Sequence, residues 1–319
     1  MKHKIVVLDG FVANSGDLSW EALERLGELT VYDRTAPEEI AGRCADADIV
    51  ITNKVVLDAD TIGRLPMLRY VGVLATGYNN VDLAACRDRG ITVCNIPAYS
   101  TESVVQTALA LLLELTNRAG TYARSVSEGA WTRCNDFSYR LGAITELCGK
   151  TAAVYGLGNI GMRMAEVLHS LGMKIIAFTS KTAEQLPAWI EKTDKDDFFR
   201  RADVLTLHAP LTDSNAGFIC DTTLALMRPS ALLVNTARGG LVDEQALAAA
   251  LREGRIVGAG LDVLRQEPPA ADCPLLDAPN CVITPHVAWQ STEARRRLLE
   301  ICAGNVEAFI KGSPVNVIV

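Results

Sequence analysis

Three side chains able to do acid–base and carboxylate chemistry stand just past three short apolar runs late in this chain. Arg238 follows residues 232–235, Glu267 comes soon after 257–263, and His286 follows 282–284. Histidine gives and takes protons near neutral pH. A carboxylate such as Glu267 can orient the ring and stabilise its protonated form. An arginine offers a rigid two-pronged donor to an anionic substrate. Gly239 and Gly240 after the arginine leave room for a ligand to approach, and Pro285 stiffens the backbone before the histidine.

A second set of residues points to a phosphate-bearing ligand. Val154 to Gly161 reads Val-Tyr-Gly-Leu-Gly-Asn-Ile-Gly, with an apolar, β-prone run at 151–155 before it and a helical pattern at 162–171 after it. Strand, glycine turn and helix in that order form a dinucleotide-binding fingerprint. Gly156 permits the tight turn, Gly158 lets backbone approach a pyrophosphate, and Gly161 lets the helix pack on the strand. A second strand at 174–178 completes the βαβ unit. A carboxylate-supported histidine is suited to moving the proton that accompanies hydride transfer from a nicotinamide ring.

NAD-selective sites usually carry Asp or Glu at the end of that second strand. Here the segment reads Ala177-Phe178-Thr179-Ser180-Lys181-Thr182. Nothing in it repels a 2′-phosphate, and Lys181 can attract one. The expected cofactor is NAD or NADP, with a slight lean to NADP tolerance.

These residues need a scaffold that brings strand ends together. Apolar runs at 4–9, 29–33, 48–52, 68–74 and 91–95 alternate with helix-like segments such as 19–26 and 60–65. That is a five-strand α/β pattern and predicts a parallel sheet. After a long helical run at 102–116, a second series has strands at 151–155, 174–178, 204–208, 232–235, 257–263 and 282–284. Only a helix at about 292–311 and a tail at 315–319 remain, too little for a domain. The expected fold is therefore α/β with two Rossmann-like, doubly wound parallel-sheet domains, the first discontinuous and flavodoxin-like. Residues 1–99 with 290–319 form the expected substrate domain, and 100–289 the dinucleotide-binding domain. Ligands are expected in a cleft beyond the carboxyl ends of the strands.

Composition narrows the function classes. The 319 residues are 49% hydrophobic and 22% charged, as expected of a globular protein with a sizeable core. A net charge of −7 argues against nucleic acid, and Arg295-Arg296-Arg297 reads as a solvated helix face. No signal-peptide core or membrane-spanning run is seen, so a cytoplasmic protein without a membrane partner is expected. The nine cysteines contain no Cys-x-x-Cys pair, and no His/Cys/carboxylate cluster has metal-ligand spacing.

Over essentially its whole length the sequence resembles the D-isomer-specific 2-hydroxyacid dehydrogenases. The resemblance is carried by Gly156-Leu157-Gly158-Asn159-Ile160-Gly161, by the strand ending in His208-Ala209-Pro210 and by Asn235-Thr236-Ala237-Arg238-Gly239-Gly240. Gly260-Leu261-Asp262-Val263 with Glu267-Pro268, and Thr284-Pro285-His286, complete it. It implies a catalytic triad of Arg238, Glu267 and His286. It also implies cofactor contacts at Gly156, Gly158, Asn159, Ile160, Gly161, Thr179, Ser180, Lys181, His208, Pro210, Thr236, Ala237 and Asp262, the last near the nicotinamide amide. Residues 74–79 resemble the family's substrate loop, in which backbone N–H groups at Ala75, Thr76 and Gly77 would hold a carboxylate. Lys54, Arg238 and His286 would join them at the substrate. The departure from the family pattern is Thr179, where NAD-preferring members carry an acid.

Within the family, residues 97–103 and His286-Val287-Ala288-Trp289 look most like the glycerate dehydrogenase and hydroxypyruvate reductase branch. The chain ends at Val319 without the regulatory extension of many phosphoglycerate dehydrogenases, so a small 2-keto acid such as hydroxypyruvate or glyoxylate is expected. A homodimer is implied by the resemblance alone. The alternatives are a dehydrogenase for another D-2-hydroxy acid and a dinucleotide-sensing, corepressor-like binding protein of the same fold.

Overall fold

The structure, a computed structural model, describes residues 2–319. Two compact units divide the chain: one runs up to Ser100 and resumes over Gln290–Val319, the other is Thr101–Trp289.

In the first unit, β1 (His3–Val7), β2 (Gly27–Val31), β3 (Ile49–Thr52), β4 (Tyr70–Val73) and β5 (Thr92–Cys94) form a parallel sheet ordered β2-β1-β3-β4-β5. Central strands covered on both faces must be apolar throughout. Accordingly Ile49-Val50-Ile51-Thr52 and Tyr70-Val71-Gly72-Val73 are buried at every position. The free edge of β5 is covered by the end of the chain. Val93 donates to the carbonyl of Val319 at 2.7 Å, and Ile318 donates to that of Val93 at 2.8 Å. Pairing of this kind removes an exposed strand edge. The helix Thr292–Ile310 starts where Ser291 accepts the N–H of Ala294, and it sets Phe309 against Tyr70 with ring centroids 4.8 Å apart.

The second unit carries β6 (Thr151–Tyr155), β7 (Lys174–Phe178), β8 (Ile190–Lys192), β9 (Val204–Leu207), β10 (Leu232–Asn235), β11 (Gly258–Leu261) and β12 (Cys281–Ile283). All are parallel, ordered β12-β11-β10-β9-β6-β7-β8. The sheet has seven strands where the sequence pattern predicts six. The extra one, β8, is three residues long with a single buried side chain, and so has no readable apolar alternation. Strand order reverses at β6, which makes the carboxyl ends of β6 and β9 the switch point where such sheets bind ligands.

The helix after β6 spans Asn159–Ser170, one turn earlier than the apolar pattern predicts. Gly161 therefore lies inside it and is buried together with Met164, Ala165 and Leu168. That 3–4 spacing is the helix face turned to the sheet. On the opposite sheet face, Phe198 and Phe199 are fully buried beside Phe218, which stacks on Tyr155 at 4.0 Å between centroids. Burial of each such ring contributes about 1.5–3 kcal/mol.

Candidate active site

The turn after β6 fits a dinucleotide. A side chain at Gly161 would put Cβ 1.9 Å from the carbonyl oxygen of Gly156, so only glycine allows the helix to sit this close. At Gly158, the helix N-cap, no atom of the described residues beyond its chain neighbours lies within 4 Å of an added Cβ, and none of their side chains caps the first turn. The open N–H groups at Asn159, Ile160 and Gly161 and the helix dipole therefore face available space, which suits an anion. At the neighbouring strand ends, Nδ1 of His208 and Oγ1 of Thr236 are buried without a partner among the described residues. His208 Nε2 bonds Thr206 Oγ1 at 2.8 Å, and burial pushes this histidine's pKa down to about 3, so its ring is neutral. Ala237 is half-buried beside Thr236, and Pro210 is exposed, its carbonyl accepting Asn215 Nδ2 at 2.8 Å.

Past β7, Thr179 is half-buried and its hydroxyl accepts the N–H of Lys181 at 3.3 Å, while Ser180 is exposed. Lys181 lines a cavity of about 380 Å³ with Gly158, Asn159 and Arg163. Arg163 is paired with Glu102 and Glu166, each at 3.0 Å.

Three adjacent strands carry the acid–base residues. Asn235 pairs with Leu261 and Leu261 with Ile283, so Arg238, Asp262 and His286 leave one sheet edge from neighbouring positions. The structure brings Glu267 and His286 together: Glu267 Oε2 lies 2.6 Å from His286 Nδ1. Its Oε1 accepts the N–H of Leu264 at 3.0 Å, which fixes the carboxylate. The histidine Nε2 has no partner among the described residues. Arg238 is not drawn to either of them. It is exposed, and Nη1 donates to the carbonyl of Ala237 at 2.7 Å.

The backbone of His286 is in the left-handed region at φ 53°, a conformation uncommon outside glycine. Asp262 holds it there. Its carbonyl accepts the N–H of His286 at 2.8 Å. The carboxylate accepts Thr284 Oγ1 (2.5 Å), Val287 N–H (3.0 Å) and Ala288 N–H (2.9 Å). Burial pushes the Asp262 carboxyl above its ordinary range, against the pull of these donors. Only 1% exposed, Asp262 is a positioning residue for the histidine turn, a job the sequence reading did not assign.

A model of the D-isomer specific 2-hydroxyacid dehydrogenase NAD binding domain matches residues 109–288. A hydroxypyruvate reductase of Blautia hydrogenotrophica is 43% identical over 99% of this chain and 99% of its own. The chain belongs to the D-isomer-specific 2-hydroxyacid dehydrogenases. A glycerate dehydrogenase of Methylorubrum extorquens is 40% identical over 100% of this chain and 99% of its own. The solved structure of an acyclic imino acid reductase in complex with NADPH and D-Arg superposes with a TM-score of 0.87 at 29% identity, covering 99% of this chain and 100% of that one.

Other residues of this dehydrogenase shape the site although sequence reasoning passed over them. Asn235, fully buried, donates to the carbonyl of Arg238 (2.9 Å) and accepts the N–H of Ala237 (3.0 Å), folding the turn that presents the arginine. An Asn at a strand end followed by a glycine pair is a turn signal that could have revealed it. Glu244 accepts the N–H of Arg265 at 2.6 Å and steadies the loop before Glu267.

Gly239 serves the same loop. An added Cβ would lie 2.0 Å from the carbonyl carbon of Leu264 and 2.3 Å from the nitrogen of Arg265. The close approach at this glycine is thus made by the chain's own backbone, where the sequence suggests a ligand. Gly239→Ala is expected to cost about 1–3 kcal/mol by overpacking and to displace Leu264, whose N–H tethers Glu267. Thermal unfolding together with turnover checks this; an unchanged melting temperature with full activity would contradict it.

In the first unit, Lys54 is exposed just past β3, its N–H accepted by Asp9 at 2.6 Å. Ala75, Thr76 and Gly77 follow β4, with Thr76 exposed and its hydroxyl donating to the carbonyl of Ile96 at 2.8 Å. Among the described residues no helix is long and apolar enough to cross a membrane.

Proposed function

We propose that this chain reduces a small 2-keto acid to the D-2-hydroxy acid with NADH or NADPH, hydroxypyruvate and glyoxylate being the favoured substrates. The observation that carries the reading is the 2.6 Å contact between Glu267 and His286 at the carboxyl edge of a dinucleotide-type sheet, with Nε2 left open. A bound nicotinamide would supply hydride to the carbonyl carbon. His286, protonated at Nε2, gives its proton to the carbonyl oxygen, and Glu267 keeps the ring oriented through its contact with Nδ1. Arg238 holds the substrate carboxylate and orients the carbonyl. Ala75, Thr76, Gly77 and Lys54 are assigned to the substrate as well. The cofactor contacts are assigned to Gly156, Gly158, Asn159, Ile160, Gly161, Thr179, Ser180, Lys181, His208, Pro210, Thr236, Ala237 and, through the histidine turn, Asp262. Full-length similarity to a hydroxypyruvate reductase and a glycerate dehydrogenase supports the substrate class. Initial rates with a panel of 2-keto acids and both reduced cofactors test it. Hydroxypyruvate or glyoxylate should lead, and a panel without turnover would favour the binding-protein alternative.

Dual cofactor use, or a moderate preference for NADPH, is the proposed selectivity. Residues 179–182 carry no acid, and Lys181 lines the cavity beside Gly158. Because a half-exposed lysine makes modest contacts, salt should weaken NADPH binding more than NADH binding. Thr179→Asp should shift kcat/KM toward NADH by adding a ribose acceptor and a charge opposed to the 2′-phosphate. A parent enzyme strictly selective for NADH would overturn this assignment.

A homodimer is proposed too. Trp131, Phe137, Leu141 and Ile144 are exposed in the segment after the helix Ala119–Ser127, with Phe137 91% exposed. Apolar side chains gathered in one exposed segment favour a protein partner, and a second copy is the proposed one. The nine cysteines, all free, fit a reducing compartment, and the cytoplasm is the proposed location.

A further inference from the structure

The loop after β4 has its carbonyls and its amides sorted to opposite sides. The carbonyl of Leu74 accepts Asn53 Nδ2 at 2.6 Å, that of Ala75 accepts the N–H of Ile96 at 3.0 Å, and that of Thr76 accepts Asn95 Nδ2 at 2.7 Å. In a planar trans peptide the C=O and the following N–H point in opposite directions. Three successive carbonyls turned toward Asn53, Ile96 and Asn95 therefore send the N–H groups of Ala75, Thr76 and Gly77 the other way. None of these three N–H groups has a partner among the described residues. Adjacent backbone N–H groups of this kind make an anion-binding concavity.

The side chains that impose this arrangement are buried and anchored in turn. Asn53 is 3% exposed and Asn95 8%. The backbone N–H of Asn53 goes to Asp9 Oδ1 at 2.7 Å, and Asp9 Oδ2 takes those of Lys54 (2.6 Å) and Val55 (3.1 Å). The carbonyl of Asn95 accepts Asn305 Nδ2 at 2.9 Å, and Asn305 Oδ1 accepts Asn316 Nδ2 at 2.8 Å. The chain of amides thus runs from the last helix and the tail to the loop.

We propose that Asn53 and Asn95 are positioning residues for substrate affinity. Without touching the substrate, their side-chain amides fix the direction of the 75–77 N–H groups, and so set the preference for a carboxylate over a neutral group. This rests on the reading that those N–H groups receive the carboxylate of a 2-keto acid.

Asn95→Asp keeps the shape but replaces the donor by an acceptor facing the carbonyl of Thr76, which frees that peptide to turn. Asn53→Ala removes the donor to Leu74. Each variant is expected to raise KM for hydroxypyruvate about tenfold or more, the scale of one lost hydrogen bond to a charged group. The value of kcat and the affinity for NADPH should hold. The ratio of kcat/KM for the keto acid to that for its amide should fall, which general loosening of the fold would not produce. Oxalate titrated calorimetrically onto the protein with NADH bound gives a second readout, and its Kd should rise in parallel. Unchanged KM and oxalate Kd in both variants would overturn the proposal, as would loss of folding in both. Should the parent enzyme reduce no keto acid yet lose oxalate binding in the variants, the assigned reaction fails and the positioning role stands.

Discussion

His286→Ala is expected to lower kcat by about 10²–10⁴-fold, the usual contribution of a positioned general acid, while dinucleotide affinity is retained. His286 stands at the end of β12 with Nδ1 held by Glu267 at 2.6 Å and Nε2 open, so its removal takes away the proton without touching the glycine turn after β6. Alanine is costly at a backbone φ of 53°, so His286→Asn, which tolerates that conformation, separates lost chemistry from a relaxed turn. Both variants should be equally slow. Steady-state rates together with fluorescence titration of NADH or NADPH supply the measurement, and near-normal turnover in either variant would remove His286 from its role.

Arg238→Lys is expected to raise KM strongly and to lower kcat as well, with kcat/KM falling by about 10²-fold. Lysine keeps the charge and loses the fork that holds a carboxylate at two points. The turn itself should survive, because Asn235 forms it with the backbone of Ala237 and Arg238 and does not use the guanidinium. Loss of activity without a change in melting temperature is therefore the expected pattern. Kinetics unchanged toward every keto acid tested would mean that the arginine points elsewhere.

The fold class and the family were legible because they rest on patterns that sequence carries directly. Apolar β-branched runs at 49–52 and 70–73 become strands buried on both faces, and the glycine turn at 156–161 becomes the strand-to-helix crossover at the switch point. Less legible were features that depend on a partner far away in sequence. β8 forms because β7 offers Ile175–Ala177 for pairing, not because Ile190-Glu191-Lys192 reads as a strand. Asp262 faces Thr284, Val287 and Ala288 more than twenty positions later, so nothing local marks its carboxylate as the holder of the histidine turn. The approach of Gly239 to Leu264 depends equally on two loops meeting, and the sequence suggested a ligand where backbone lies. Asn53 and Asn95 look like ordinary strand-end residues until the carbonyls they hold are seen together.

The roles proposed for Arg238 and His286 would present one face of the carbonyl to the hydride, which makes product chirality the most direct test of the proposed reaction. Hydroxypyruvate incubated with the purified protein and a regenerated nicotinamide cofactor, followed by chiral chromatography of the glycerate formed, is the measurement. D-glycerate alone is the result predicted. L-glycerate, a racemic mixture, or no product from hydroxypyruvate, glyoxylate or any other 2-keto acid would contradict it.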